Sequence, residues 1–393
     1  MRIGIDASCW SNGRGFGRFT RELLGAVAAL NADDEFVLFS DRQTAEQATF
    51  PDGWRVVVAD THEAASRAAS ADGRRSLRDV WLMRKAVQRE KLDLMFFPAV
   101  YSYFPVAGRM PCLVTFHDVI AETLPHLVFH TRRSRWFWQL KTWLAVRRTA
   151  CLVTVSEASK RGLMETFGVS AERVRVISEA ASDAFGPVDR RSAEHARVLE
   201  RYELHGGRRF LLYVGGISPH KNLDTLIAAF ARIASDSESG DVRLVLAGDY
   251  QGDAFRTCYT DLRELSARLG IENRVAFPGF VPDHDLAHLY AGAQAFVFPS
   301  LLEGFGLPAV EAMACGAAVI ASDRGSLPEV LGGAGELFDP RDGDSLCSSL
   351  RRVLKDQRHQ QDLRARSLGR AADFTWKRSA RQAVDVFHEF RRS

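Results

Sequence analysis

The chain is poor in lysine, short of cysteine, without a long apolar run and without a strong charge of either sign, and each shortage closes off a class of protein. Lysine and arginine total 52 against 49 acidic residues, a formal charge of +3. No overall field exists to draw nucleic acid, so no nucleic-acid partner is expected. The six cysteines (Cys9, Cys112, Cys151, Cys258, Cys315 and Cys347) stand more than 30 residues apart, with no C-x-x-C pair and no histidine at zinc spacing. Reduced, mostly buried thiols are expected, not a disulfide framework or a zinc module. No window approaches the roughly 18 uncharged apolar residues of a membrane span. The opening MRIGIDAS reads as a strand, not as a charged leader ahead of an apolar run. A cytoplasmic chain is expected, at most peripheral on the cytoplasmic face of a membrane. Only seven of the 52 basic residues are lysine, so each lysine's position carries information.

What is present is a long alternation of short apolar runs and amphipathic stretches. At 393 residues, 46% apolar and 26% charged, the chain exceeds what one core usually serves, and two domains are the default. In the first half the runs are RIGIDA (2–7), FVLFS (36–40), RVVVA (55–59), LDLMFFP (92–98), CLVTFHD (112–118), CLVTVS (151–156) and VRVIS (174–178). Runs this short and continuous suit strands buried on both faces of a parallel sheet, with crossover helices between them. The pattern stops from 183 to 208, in a charged stretch with a proline and two adjacent glycines, and resumes with RFLLYVGG (209–216), VRLVLAGD (242–249), RVAFPGF (274–280), AFVFPS (295–300) and AAVIAS (317–322). The expectation is an α/β protein of two Rossmann-like doubly wound domains, 1–185 and 209–374, joined by a linker with a short helix at 186–208. Ligands of such sheets bind beyond the carboxyl ends of the strands, and two such sheets facing each other would make a cleft.

The segment from Glu303 to Glu311, EGFGLPAVE, joins the run AFVFPS to a helix through a glycine-rich turn. Pro308 suits the first helical turn, where its missing N–H costs nothing. The amides of Phe305, Gly306 and Leu307 would then offer donors at a positive helix end. Two carboxylates beside a bound diphosphate would be repelled by it, so Glu303 and Glu311 are useful only as acceptors for vicinal hydroxyls. The bland alternative is a solvated loop residue and a favourable helix start.

After the first run of the second half comes Gly215-Gly216-Ile217-Ser218-Pro219-His220-Lys221-Asn222. It spends one of the seven lysines just before a helix, where a cation opposes the dipole, and that placement favours a phosphate partner. Near the start, Gly13-Arg14-Gly15-Phe16-Gly17-Arg18 resembles a dinucleotide loop in part, with Arg18 where the third glycine would fall; it reads as close backbone approach to a ligand. His117-Asp118 ends the run CLVTFHD, at the end where ligands bind. Asp283-His284-Asp285 with His288 superficially offers an Asp-x-Asp metal pair and a His-x-x-x-His helix face, yet Pro282 ahead of them and Leu286, Leu289 and Tyr290 at helical spacing make the acids cap and first-turn residues, and no metal is expected. His130 to Arg148 holds six basic residues, no acid and three tryptophans. Such a helix could rest on an anionic inner membrane, or be a crossover helix burying Phe137, Leu140 and Leu144.

Together the E-x₇-E element, the G-G-x-x-x-x-K turn, the early glycine loop, the strand-end His-Asp and the closing FTWKRSARQAVDVFHEF resemble the retaining family 4 glycosyltransferases of the GT-B fold, over nearly the whole chain. The resemblance implies that Lys221 holds a donor diphosphate with Gly215, Gly216 and His220 around it. Glu311 would take the ribose, and Glu303 with the amides of Phe305, Gly306 and Leu307 the transferred sugar. His117 would sit beside the reacting centre, Gly15, Phe16 and Gly17 would close over the phosphates, and the last helix, 375–393, would cross back onto the first domain. It also implies metal-independent transfer by front-face substitution. VGGISPHKNL is most similar to mannosyltransferase-like members that build bacterial surface polysaccharide. The implied donor is GDP-mannose, with a UDP-sugar as alternative, and the acceptor a glycan or a lipid-linked glycan. A nucleotide-sugar epimerase on the same scaffold is the rival. Two departures stand out. Arginine is common in the family where Gly216 and His220 stand, so charge compensation would fall to Arg14, Arg18 or a protonated His220. ISEAAS (177–182) replaces a frequent Asn-Gly pair.

Overall fold

A computed structural model describes residues 1–13, 15–30, 33–61, 76–106, 108–204, 206–236, 242–250 and 257–391. The chain forms two compact units: Met1–Glu179 with Trp376–Ser393, and Ala180–Thr375.

In unit 1 the strands are β1 Arg2–Asp6, β2 Glu35–Asp41, β3 Arg55–Ala59, β4 Leu94–Phe97, β5 Cys112–Thr115, β6 Cys151–Thr154 and β7 Val174–Val176. They form one parallel sheet in the order β3-β2-β1-β4-β5-β6-β7. The central strands are buried on both faces, as a parallel sheet covered by helices requires. β3 departs from that expectation: it is an edge strand, and Val56 and Val58 are exposed.

The helix Trp376–Glu389 belongs to unit 1 and packs on Gly15–Ala29, burying Trp376, Ala380, Ala383, Val386 and Phe387 at a period near 3.6. Its polar side is tied down as well. Gln382 Oε1 accepts from the amide and hydroxyl of Ser178, both at 3.2 Å, and Glu389 pairs with Arg175 at 2.8 Å.

Unit 2 holds β8 Phe210–Val214, β9 Arg243–Ala247, β10 Val275–Gly279, β11 Ala295–Phe298, β12 Val319–Ser322 and β13 Glu336–Phe338, in the order β10-β9-β8-β11-β12-β13, again parallel. β13 has only three residues and follows a glycine-rich stretch, so no continuous apolar run marks it in the sequence.

The segment expected to be a linker with a short helix has its helix but belongs to unit 2. Residues 186–208 carry the helix Ala193–Arg201, which buries His195 and Val198 and packs against Asp283–Gly292 inside unit 2. Its charge is on the outside, and its few apolar residues are spaced for one helical face.

Arg132–Arg148 corrects a second expectation. The buried face is Trp138, Thr142, Ala145 and Val146, fixed by Trp138 Nε1 donating to Glu122 Oε1 at 2.7 Å. Phe137 and Leu140 are exposed together with Trp136 and Trp143. None of the described helices is long and apolar enough to cross a membrane.

Candidate active site

Strand order reverses between β8 and β11 in unit 2, and between β1 and β4 in unit 1. At such a switch point the connections leave to opposite faces of the sheet and open a crevice at the carboxyl ends. The loops that follow β8 and β11 hold the two most informative motifs of the sequence.

After β8 the chain passes Gly215 and Gly216, whose carbonyl accepts from Tyr213 Oη at 2.8 Å. A short 3₁₀ turn, Pro219–Lys221, then ends at Asn222 in the left-handed region (φ 58°). The Asn222 side chain holds that turn against the rest of unit 2, donating to the carbonyls of Pro299 at 3.1 Å and Pro340 at 2.9 Å. The carbonyl of His220 accepts from Leu301 N at 2.9 Å, joining the lysine turn directly to the loop after β11.

That loop is fixed from below. Ser326 Oγ donates to the carbonyls of Glu303 at 3.2 Å and Phe305 at 2.8 Å, and Phe305 is buried against Phe374. Gly306 has φ 93°, and a Cβ there would lie 2.7 Å from Leu327 Cδ2, so only glycine turns the chain into the helix Leu307–Ala314. The first amides of a helix have no acceptor within it, which makes this turn a natural place for an anion or for hydroxyl groups.

Lys221 Nζ and Glu303 Oε1 meet at 2.6 Å. Both side chains are mostly buried, with 16% and 10% exposure, and the ammonium also lies 5.6 Å from the centre of the Phe298 ring. Glu311 is buried one turn into the helix and accepts from Tyr290 Oη at 3.3 Å. Within unit 2, then, one cation, two carboxylates and a helix start are gathered at the switch point.

His220 is the clearest correction. Its imidazole is buried, with Nδ1 3.3 Å from Ser218 Oγ, and burial, aided by the charge of Lys221, pushes its pKa down to about 3. It is neutral at physiological pH and is not the second cation of a diphosphate clamp. Of the other two candidates, Arg14 lies outside the described residues, and Arg18 belongs to unit 1.

The remaining predicted residues cluster in unit 1. Gly15, Phe16 and Gly17 open the helix Gly15–Ala29. Phe16 stacks on Tyr101 at 4.9 Å between centroids, and its ring lies 6.5 Å from that of His117. The close backbone approach expected of this loop exists, but to the chain itself: a Cβ on Gly17 would lie 2.0 Å from the carbonyl oxygen of Asn12. Gly15 has nothing within 4 Å of its Cβ position.

His117 is held on three sides. Nε2 is 3.0 Å from the Pro98 carbonyl, Nδ1 is 3.2 Å from Glu179 Oε1, and Phe19 packs edge-on at 4.8 Å. Glu179 escaped notice in the sequence, where ISEAAS registered only as a departure from a family pattern. Tyr290 escaped too, since it fitted the apolar spacing of its helix. Neither signal was available without the fold, because each partner lies tens of residues away.

Residues 13–181 match the glycosyltransferase family 4 model and residues 197–369 the model of glycosyl transferases group 1. The chain is 32% identical to the O-antigen chain mannosyltransferase B of Escherichia coli, over 70% of its own length and 69% of that protein. It is 31% identical to the serotype-specific mannosyltransferase WbdA of Escherichia coli, over 61% of this chain but only 29% of WbdA. Anabaena HepE, solved in complex with UDP-glucose, has the same fold, with a TM-score of 0.71 at 20% identity and coverage of 99% and 100% of the two chains. Two family models matched in order, one in each unit, and a mannosyltransferase aligned over two thirds of its length make this chain a member of the group 1 glycosyltransferases of family 4, with the two-domain α/β fold of the GT-B class.

Proposed function

We propose that the protein transfers mannose from GDP-mannose, with retention at the anomeric carbon, to a glycan or lipid-linked acceptor in the synthesis of a bacterial surface polysaccharide such as O-antigen. The observation that carries this reading is the Lys221–Glu303 pair beside the start of Leu307–Ala314. Lys221 and the helix amides are suited to neutralise the leaving diphosphate, by preorganised electrostatics and not by a covalent step. Glu303 and Glu311 then serve as acceptors for sugar and ribose hydroxyls. His117, oriented by Pro98 and Glu179, is assigned to the acceptor side in unit 1. No protein nucleophile is needed if a donor phosphate oxygen takes the acceptor's proton, and no metal is needed for the transfer.

Mannose is favoured because two relatives above 30% identity are mannosyltransferases. A UDP-sugar is the second reading, because the HepE structure of the same fold holds UDP-glucose. A thermal-shift and turnover panel of GDP-mannose, UDP-glucose and UDP-N-acetylglucosamine decides between them, run with and without a chelator. GDP-mannose should stabilise most and be turned over with the chelator present. Stabilisation by UDP-sugars alone, or turnover that disappears with the chelator, would overturn the donor or the metal-free transfer respectively.

The exposed face of Arg132–Arg148 fits a lipid-linked acceptor. Trp136, Phe137, Leu140 and Trp143 form an outward apolar stripe, Arg133 and Arg147 lie over the rings of Phe137 and Trp143, and the helix contains no acid. Aromatic residues with flanking arginines suit the interface of an anionic bilayer, and we assign this helix to peripheral contact with such a membrane.

A further inference from the structure

We propose that unit 2 carries a site for a divalent transition metal of the zinc type, built by Glu194, His284 and His288 and separate from the transfer chemistry.

His284 and His288 are four residues apart on the helix Asp283–Gly292 and so share one face of it, the spacing by which a single helix offers two imidazoles to one ion. The helix Ala193–Arg201 packs against Asp283–Gly292 and brings Glu194. One ligand atom from each of the three residues lies within 4.8 Å of the other two. His284 Nε2 and Glu194 Oε1 are already 3.2 Å apart. Tetrahedral zinc, with bonds of about 2.0–2.1 Å, spaces its ligand atoms about 3.4 Å apart. That pair therefore stands at ligand spacing, and a small rotation of side chains brings in the third.

The surrounding groups orient the ligands. His284 Nδ1 lies 3.3 Å from Asp285 Oδ1, so the carboxylate holds the Nδ1 proton and leaves Nε2 as the ligand atom. Asp285 is in turn fixed by Tyr202 Oη at 2.8 Å and by the Arg201 guanidinium, both from the end of the opposite helix. On the other side His195 Nδ1 is 3.3 Å from His288 Nδ1, setting that ring's orientation.

Two nitrogens and one carboxylate oxygen suit zinc and its neighbours in the transition series, not magnesium or calcium, which take oxygen ligands. Three protein ligands leave a fourth position to water. Glu194 and His284 are exposed, so an ion reaches the site without unfolding. Its consequence is mechanical: the ion would clamp Ala193–Arg201 onto Asp283–Gly292, and the binding free energy becomes folding free energy. The sequence offered His284 and His288 as a His-x-x-x-His face, discounted it together with Asp283 and Asp285, and could not see Glu194, which lies 90 residues before His284.

The test uses the full chain freed of metal by a chelator. Zinc chloride should raise Tm where magnesium chloride does not, and cobalt should give the visible ligand-field band of a tetrahedral site. His284→Ala and Glu194→Gln, both at exposed positions, should each fold and should weaken zinc at least tenfold in competition with a chromogenic chelator. Equal zinc affinity in the wild type and in both variants, or equal shifts from zinc and magnesium, would overturn the site. Metal removal should lower Tm without changing the transfer rate of the folded enzyme, which keeps this outcome distinct from the donor assignment.

Discussion

Lys221 and Glu303, 82 residues apart in sequence, form a largely buried ion pair of 2.6 Å between the loops that follow the two central strands of unit 2. Each is the other's charge compensation. The pair is therefore a structural tie and, under the proposed function, a donor-binding element.

Replacing Lys221 should show both roles. Lys221→Met keeps the apolar stem and removes the charge; it should lower turnover by about 10²–10³-fold, as loss of one preorganised donor to a developing negative charge does. It should also cost about 1–3 kcal/mol of stability, because Glu303 is left buried and unpaired. Adding Glu303→Gln should restore part of that stability and none of the turnover. Strictly additive stability losses in the double-mutant cycle would mean the two side chains are not coupled.

The glycine loop of unit 1 separates packing from mere proximity. Gly17→Ala puts a methyl group against the Asn12 carbonyl and should destabilise by about 1–3 kcal/mol. Gly15→Ala meets nothing and should be neutral or slightly stabilising. Chemical denaturation of the two variants checks this, and equal midpoints would refute the close approach at Gly17.

His220 fixes the sign of one pH effect. Its pKa in the fold, about 3, is below the ordinary 6.5, so the unfolded chain binds a proton that the folded chain refuses. The stability this group contributes is complete above pH 6.5 and is lost as pH falls toward 3, by at most about 1.4 kcal/mol per pH unit. His220→Gln should flatten the fall of Tm between pH 7 and pH 5 relative to wild type. Parallel curves would show that the imidazole is not held neutral.

On Arg132–Arg148, Trp136 and Trp143 are 57% and 49% exposed. The double variant Trp136→Gln, Trp143→Gln should leave Tm within about 1 °C, since surface changes away from such contacts fall within about 0.5 kcal/mol. It should also lose co-sedimentation with phosphatidylglycerol vesicles. Undiminished co-sedimentation would locate the contact elsewhere.

Among the described residues, all seven strands of unit 1 and five of the six in unit 2 could be placed from apolar runs alone, because strands buried on both faces leave an unbroken local signal. The short β13 and the exposed side of β3 could not. The first lacks a run and the second depends on its edge position; a short helix was legible between 183 and 208, but its packing on Asp283–Gly292 was not. The site was legible in the same uneven way. EGFGLPAVE and GGISPHKN announced themselves because loop, charge and helix start are adjacent in the chain. Their meeting at one switch point, the neutrality of His220 and the partners Glu179, Tyr290 and Glu194 required the fold.

The sequence by itself determined which residues could do phosphate and hydroxyl chemistry, since residue type and the strand–turn–helix context are local properties. Only the tertiary structure decided which of them touch, because strand order brings together loops some 80 residues apart and sets the burial that turns a histidine from a cation into a neutral ring.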